Sequence, residues 1–583
     1  MTPGIDGETL DGMSIDKIEK MRSLLRAGKY KFSPTREVTI PKPGKNEFRP
    51  TKVGSPNEKI VQKAITQIME AYYDPLFQDV SHGFRPKRGI QTALTQIDSN
   101  FQSMRWVMEA DLRKAFDSID HNKLMNMLKR DIKDDKVMAL IKSGTEAGYL
   151  DEIGKFHESV VGTPQGNITS PLTCNMFTNE FDKYIEELRK EYETVGNPRV
   201  LTREYKDVTN KMKQYKWSME KGEEITVESQ EYFKELMKDT MKTDRVDYEN
   251  RPIKIKYVRY ADDFMIGIEG PYKLAETIYN KMDKFLRDNL STELNKEKTV
   301  ITDMQKSPMK FTGFYMKSME ANEKMMERMK ISDRLMMRRK KVRTSFFFDY
   351  EKTLKRLIEK GFIRWRPDKN NSGKNMMLRG RFKGNLMNLD HMDMVNYYNS
   401  MMRGLYNMYN MCRNMNNTAR MTWTLEESYV LTLARKFRTS SMKKVYDKFG
   451  KNLSARKMVD NEVKTMDTFR PDSYERKSMK TWKKVVNMVN PEDLTRINWN
   501  RKYTKSNLFE KCVICNAESN IEMHHVRSIK TMKDKTKGTD FFTKQMSKIN
   551  RKQIPLCRDH HMKTHRKKTN AAEIKTYKRS VSN

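Results

Sequence analysis

Apolar residues recur along the chain at two periods, and the switches between them mark out elements. Glu58–Tyr72 sets Ile60, Val61, Ala64, Ile65, Ile68 and Met69 at helical spacing, which predicts a helix after a Pro-marked extended stretch, Val38–Pro43. Arg105–Ala110, Arg-Trp-Val-Met-Glu-Ala, reads as a short buried strand ending at Asp111, and Asp120 caps a predicted helix through Arg130. Alternation returns at Ile253, Ile255 and Tyr257. Tyr260-Ala-Asp-Asp-Phe then leads into Met265-Ile-Gly-Ile268, the pattern of a hairpin with Asp262 and Asp263 at its turn.

Between these strands, residues 186–250 are rich in Lys and Glu and poor in branched aliphatics, which predicts solvated helices inserted into an α/β domain. From about 320 to 450 the pattern is helical, with Met, Leu and Tyr on recurrent faces and Arg or Lys between. Residues 453–510 are polar and basic, with Trp482 and Trp499, and a Cys/His-rich tail follows Lys511.

Composition narrows the class. With 583 residues, the chain has room for about four domains and large buried cores. It carries 114 Lys plus Arg against 77 Asp plus Glu, a surplus of +37 that calls for a polyanion, nucleic acid first. The surplus is lopsided: residues 1–300 hold 50 basic and 49 acidic residues, and the remainder 64 and 28. No run of about 18 apolar residues and no secretory signal is readable, so an intracellular protein with no membrane partner is expected. Five Cys cannot build a disulfide framework, and three of them, Cys512, Cys515 and Cys557, crowd the tail, which points to metal. Met, with 45 copies, outnumbers Ile, with 32, and stands where cores normally use Ile or Leu. A genetic code that reads an Ile codon as Met would account for this, so a mitochondrial location is expected, with a bacterial cytoplasm as the alternative.

Asp111 at one strand end and Asp262-Asp263 at a hairpin turn could meet if the strands pair, and three carboxylates together call for divalent cations suited to phosphoryl transfer. Taken singly, each motif is also ordinary cap or turn chemistry.

Together with their neighbours, these residues resemble the palm of reverse transcriptases, most closely the group II intron-encoded class. The blocks stand in family order: Ala110-Asp111-Leu-Arg-Lys-Ala-Phe116-Asp, Gly162-Thr-Pro-Gln165-Gly166-Asn-Ile-Thr-Ser-Pro171-Leu and Tyr260-Ala-Asp262-Asp263. Thr2-Pro-Gly-Ile-Asp-Gly7, Ile40-Pro-Lys42 with Arg49-Pro, Glu58-Lys-Ile-Val-Gln62, His82-Gly-Phe-Arg-Pro86, Glu293-Leu-Asn-Lys-Glu-Lys298-Thr and Phe311-Thr-Gly-Phe314 resemble its other marks. The resemblance implies that Asp111, Asp262 and Asp263 are catalytic and bind Mg²⁺, and that Phe116 gates the sugar of the incoming dNTP. It places Gln165 and Gly166 along that nucleotide and Lys42 and Arg49 on its triphosphate. It also implies a further segment before Thr2.

Tyr397-Tyr398, Arg403-Gly404-Leu-Tyr-Asn407, Leu433-Ala-Arg435-Lys436 and Lys448-Phe-Gly-Lys-Asn-Leu453 resemble the family's thumb, or X domain, which implies RNA binding by Arg403, Arg435 and Lys436. Basic helices with interleaved rings suit an RNA backbone and its exposed bases.

In the tail, Cys512-Val-Ile-Cys515 and Cys557-Arg-Asp-His560 are two ligand pairs at the spacing of a structural Zn²⁺ knuckle. His524-His525 lies between them, and His561 and His565 can share one helical face. This resembles the HNH (ββα-metal) nuclease that ends many group II intron proteins. By that resemblance His525 is the general base, while His524, His561 and His565 hold a catalytic divalent cation, Mg²⁺ being expected. The Asn of the HNH name falls at Lys552, with Asn550 two residues away. A purely structural zinc finger that binds DNA is the other reading.

The expected architecture is multidomain α/β and α. Fingers and palm occupy 1–319, a helical thumb or X domain 320–452, a DNA-binding region 453–510 and a zinc-containing HNH domain 511–583. The expected activities are RNA-directed DNA polymerase, maturase for its own group II intron RNA, and endonuclease nicking double-stranded target DNA to prime reverse transcription. A non-catalytic RNA-binding splicing factor is the alternative.

Overall fold

The Asp111 strand and the Asp262–Asp263 hairpin form one antiparallel sheet, in the order Lys254–Tyr260, Asp263–Glu269, Trp106–Asp111, Val300–Asp303. This computed structural model describes residues 3–582 except 42–46, 103, 114, 160, 164–165, 195–200, 222–225, 244–252, 305, 319–325, 332–333, 340–343, 368–374, 388, 460–461, 477–509, 527–552 and 567. Both sheet faces are buried. Phe264, Ile266 and Ile268 pack with Phe177 and Phe181 of the helix Ser170–Tyr192 and with Ile278 and Met282 of the helix Tyr272–Leu290. Met265 and Val107 face the opposite core, with Ile97 and Phe101 of the segment around the helix Ile90–Asn100. Full burial of each such side chain stabilises by about 1.5–3 kcal/mol, and a one-residue slip would exchange the two faces, so packing pins the register that sets Asp111 opposite Asp263.

A second sheet carries Arg49. It runs Phe48–Val53, Thr35–Pro41, Tyr149–Leu150, Phe156–His157, and the helix Pro56–Tyr73 follows it with Pro56 in its first turn, where the missing N–H is tolerated. The inserted segment becomes two helices, Arg203–Glu220 and Val227–Lys242, joined by stacking of Tyr215 on Phe233 at 4.9 Å. Residues from 186 to Tyr192 instead end the core helix that starts at Ser170.

The segment 320–450 departs from its helical expectation. Helices Tyr350–Glu359, His391–Tyr409, Met415–Lys436 and Met442–Phe449 are present. So are strands Met326–Ile331, Arg334–Arg339, Thr344–Phe348, Ile363–Pro367 and Met376–Gly380. Three consecutive Phe, at 346–348, carry no period of their own, and the segment is drawn into pairing by the strand Phe314–Ser318 beside it. The 319/320 limit therefore falls between two paired strands of one sheet. A single core runs from Ile90 through Phe314, Phe346, Tyr398 and Tyr429 to Ala455. The first part of the 453–510 region also joins it: Leu453 and Ala455 are fully buried, and Asn399 Nδ2 donates to Asp467 O at 2.7 Å. Trp482 and Trp499 lie outside the described residues.

The Cys/His tail contributes strands Ile521–His525 and Gln553–Cys557 and helices Arg558–His565 and Ala571–Ser582. A third strand in its sheet comes from the opposite end of the chain: Met13–Ser14 pairs with Met523 and Glu522. Among the described residues, no helix is long and apolar enough to cross a membrane.

Candidate active site and metal centres

Asp111 ends its strand opposite Asp263, and the turn Tyr260–Asp263 places Asp262 beside them. Asp111 is buried, Asp262 and Asp263 half-buried. Burial first, and then the neighbouring Asp262 and Asp111 charges, push the Asp263 carboxyl up to about 7. Burial and Asp111 likewise raise Asp262, with Lys298 and Arg49 opposing. Carboxylates crowded to this degree are suited to a divalent cation. The Lys298 ammonium occupies part of that role by pairing with Asp111 Oδ2.

The turn itself is held from below. Ala261 adopts φ 58°, in the left-handed region, and its carbonyl accepts from Arg259 Nη1 at 2.9 Å. Arg259 is fully buried and forks onto Asp182. Gly83 lies against the same turn, where a Cβ would stand 2.3 Å from Ala261 N.

Phe116 is half-buried, its ring 6.2 Å from that of Phe84, and its carbonyl accepts from Thr163 N at 2.7 Å. Gly166, at φ 117°, approaches the strand Phe48–Val53 so closely that a Cβ would lie 2.4 Å from Lys52 O. That strand presents Arg49, exposed and close enough to Asp262 to affect its charge. Lys42 and Gln165 lie outside the described residues. On the helices His391–Tyr409 and Met415–Lys436, Arg403 and Arg435 are exposed and rest over the rings of Phe469 and Phe382, at 5.3 and 5.0 Å. Lys436 differs: its Nζ donates to the carbonyls of Met387 and Leu389 at 2.9 and 2.8 Å, tying it to the segment before the helix His391–Tyr409.

The tail brings two ligand groups together. Cys512, Cys515, Cys557 and His560 form one, with Cys515 Sγ 3.7 Å from Cys557 Sγ and Cys512 Sγ 3.8 Å from His560 Nδ1. A tetrahedral zinc with Zn–S of about 2.3 Å has ligand edges of about 3.8 Å, so these residues fit Zn²⁺. His560 turns its other nitrogen to Glu573 Oε1 at 3.1 Å, the carboxylate support that zinc-binding imidazoles take.

The second group is His524, His561 and His565, with Asp11 from the N-terminal segment. His524 Nδ1 is buried without a hydrogen-bond partner, and burial lowers that imidazole to about 4, keeping it neutral. His561 Nδ1 bonds Glu522 Oε2 at 2.5 Å, and its Nε2 sits 3.1 Å from His565 Nε2. An orphaned nitrogen and two converging ones fit a cation. His525 is buried beside this group, with Gln553 Nε2 2.7 Å from its Nε2 and Asp11 Oδ1 3.2 Å from its Nδ1. Burial raises Asp11, but hydrogen bonds from His525 and His561 outweigh it and hold that carboxyl well below the usual range.

Gln553 is paired across the sheet with His525; Lys552 and Asn550 lie outside the described residues. Asp11, Gln553, Arg259, Asp182 and Glu573 were not foreseen. Only Arg259 carried a local signal, as a charge standing in step with the buried Ile255 and Tyr257 rather than with Lys254 and Lys256.

The profile of the family "Reverse transcriptase (RNA-dependent DNA polymerase)" matches residues 40–214 and 229–316, and that of "Type II intron maturase" matches 349–501. A putative COX1/OXI3 intron 1 protein of Saccharomyces cerevisiae is 32% identical over 97% of this chain and 66% of its own length. An uncharacterized 91 kDa protein in a cob intron of Schizosaccharomyces pombe is also 32% identical, over 99% of this chain and 68% of its own. The group II intron-encoded protein LtrA of Lactococcus lactis is 30% identical over 92% and 87%. The chain thus spans just under two thirds of the length of the Saccharomyces relative. Among solved structures, Candida albicans telomerase aligns at a TM-score of 0.36 and 11% identity, over 72% of this chain and 59% of that one, too slight a likeness to carry an argument. Matched along nearly its whole length to intron-encoded proteins, the chain belongs to the group II intron-encoded family, with a reverse transcriptase domain and an intron maturase domain.

Proposed function

We propose that this chain is an RNA-directed DNA polymerase that also assists splicing of its intron RNA and nicks target DNA to obtain a primer. The observation that carries the polymerase reading is the meeting of Asp111, Asp262 and Asp263 across a fixed strand register. Mg²⁺ bound there would supply activation of the primer 3′-hydroxyl and charge stabilisation on the departing pyrophosphate. The chain's own residues arrange the rest. Arg49 faces the triphosphate from the neighbouring sheet, Phe116 lies under the sugar, where its ring leaves no room for a 2′-hydroxyl, and Gly166 lets the adjoining backbone run close to the base.

Exposed Arg403 and Arg435, each backed by a ring, support binding of intron RNA on the thumb. The tail supports the nuclease: a Zn²⁺-organised scaffold, three His for a divalent cation, and His525 as the base. That imidazole is held at Nε2 by the Gln553 amide and faced at Nδ1 by Asp11; with the amide turned so that its Oε1 accepts from Nε2–H, Nδ1 carries the lone pair that takes a proton from water. The proposed order is nick, then extension, because polymerisation needs the 3′-hydroxyl that a nick provides. We place the protein in mitochondria on its methionine usage, with a bacterial cytoplasm as the alternative.

Two variants test this reading. Asp262→Ala should abolish deoxynucleotide incorporation on an RNA template and leave nicking intact. His525→Ala should abolish nicking and spare both incorporation and splicing. Wild-type protein inactive in both assays with Mg²⁺ present, yet active in splicing, would leave the non-catalytic splicing factor as the function.

A further inference from the structure

The cation group in the tail is assembled from both ends of the chain. Asp11, His524, His561 and His565 each offer a ligand atom, and these atoms all lie within 4.8 Å of one another. Asp11 Oδ2 is 2.8 Å from His565 Nε2 and 3.6 Å from His561 Nε2, while its Oδ1 is 3.9 Å from His524 Nδ1. The backbone delivers it there. Gly12, at φ +73°, packs against His561 and donates from its N to Met523 O at 2.9 Å, and Met13 and Ser14 then pair with Met523 and Glu522. The same carboxylate also reaches the proposed base: Oδ1 accepts from His525 N at 2.6 Å and is 3.2 Å from its Nδ1.

We propose that Asp11 is the fourth protein ligand of the nuclease cation, so that the bound ion fastens the N-terminal strand to the C-terminal module and closes the position a DNA phosphate would take. The proposal rests on reading the tail as a metal-dependent nuclease. Three imidazoles and a carboxylate suit a tetrahedral ion such as Zn²⁺, on which four protein ligands complete the set, whereas hydrolytic sites keep one position open for water or substrate. Asp11 Oδ2 faces His561 and His565, and Oδ1 faces His525 and His524, so the carboxylate spans cation ligands and base as a phosphodiester would have to. Asp11 therefore has to withdraw before DNA is cut. A strand of two residues is a short joint, suited to release.

The test uses the full-length chain with its Cys512, Cys515, Cys557, His560 site already loaded with Zn²⁺, titrated with Co²⁺. Tetrahedral Co²⁺ absorbs strongly in the visible, and six-coordinate Co²⁺ on the palm carboxylates absorbs weakly. Wild type should give the strong band, and Asp11→Ala and Asp11→Asn should weaken it and lower Co²⁺ affinity by about tenfold or more. Hydrogen exchange should show the Gly12 amide protected in loaded wild type and exposed in either variant or after His561→Ala. At saturating metal, Asp11→Ala should nick DNA faster than wild type. Unchanged affinity, band and exchange in both Asp11 variants overturn the proposal, and slower nicking overturns the closure. If neither wild type nor Asp11→Ala nicks DNA, the nuclease reading fails, and absorbance and exchange still decide whether Asp11 is a ligand.

Discussion

Arg259 and Asp182 form an ion pair in which neither side chain is exposed, with Nη2 2.6 Å from Oδ2 and Nε 2.8 Å from Oδ1. The pair joins the strand that leads into the Asp262–Asp263 turn to the helix Ser170–Tyr192. Tyr257 donates to the same carboxylate at 2.8 Å, and Arg259 also reaches Asn175, Ser81 and the Ala261 carbonyl, so both charges are satisfied. Removing one partner leaves the other buried and unpaired. Asp182→Ala should lower unfolding free energy by about 3–5 kcal/mol, read by urea denaturation. Arg259→Lys, which keeps the charge and loses the fork, should lower incorporation rate more than dNTP affinity, because it lets the carboxylate turn shift.

Gly83 tests the same turn from the other side. The added methyl of Gly83→Ala meets backbone at Ala261, which cannot yield without moving Asp262 and Asp263. Primer extension should fall by about 100-fold, the scale expected for a misplacement of about 1 Å. The proposed nicking by the tail, whose cation ligands and base are not part of this turn, should be unaffected.

A pH dependence follows from His82. Its ring is buried against Thr92 Oγ1 at 2.9 Å and Gln96 Oε1 at 2.5 Å, and burial lowers it from 6.5 to about 4. Between those values the unfolded chain binds a proton that the folded chain refuses. The stability is therefore whole above about pH 6.5 and is lost as pH falls toward 4. From pH 7 to pH 5, wild type should lose roughly 2 kcal/mol more than His82→Gln, measured as the difference in urea midpoints multiplied by the slope. Equal losses would remove His82 as the cause.

What could be read from the sequence was what lies close together along it. The Asp111 strand, the Asp120 cap and the Asp262–Asp263 hairpin are each set by a few neighbouring residues, and Asp120 does accept from Lys123 N at 2.9 Å. Their meeting followed from pairing two strands with buried faces. Asp11 could not be found that way, since it reaches His565 across 554 positions and through a strand of two residues. Gln553 was missed because its contact with His525 comes from strand pairing across 28 positions, which neighbouring residues do not announce. The strand at Thr344–Phe348 was read as helix because its partner, Phe314–Ser318, supplies the pairing that its own sequence does not announce. Lys436, expected from the family resemblance to contact RNA, is bonded to the carbonyls of Met387 and Leu389.

Glu573 offers a test of the proposed zinc site that leaves Cys512, Cys515, Cys557 and His560 in place. It supports His560 from behind at 3.1 Å, so Glu573→Gln should weaken Zn²⁺ binding by about 10–100-fold, read by competition with a chromogenic chelator. Chelation in excess should unfold the tail and stop nicking, while incorporation by the palm with Mg²⁺ restored continues.

The most direct measurement is deoxynucleotide incorporation on a primed RNA template with saturating Mg²⁺, comparing wild type with Asp262→Asn. Asn is of equal size, and removing one of three crowded carboxylates relieves repulsion, so the variant should fold at least as stably without metal. Wild type should extend the primer, and Asp262→Asn should not, while retaining intron RNA binding. Extension by the variant at the wild-type rate, or none by wild type, would contradict the assignment of Asp111, Asp262 and Asp263 as the polymerase centre.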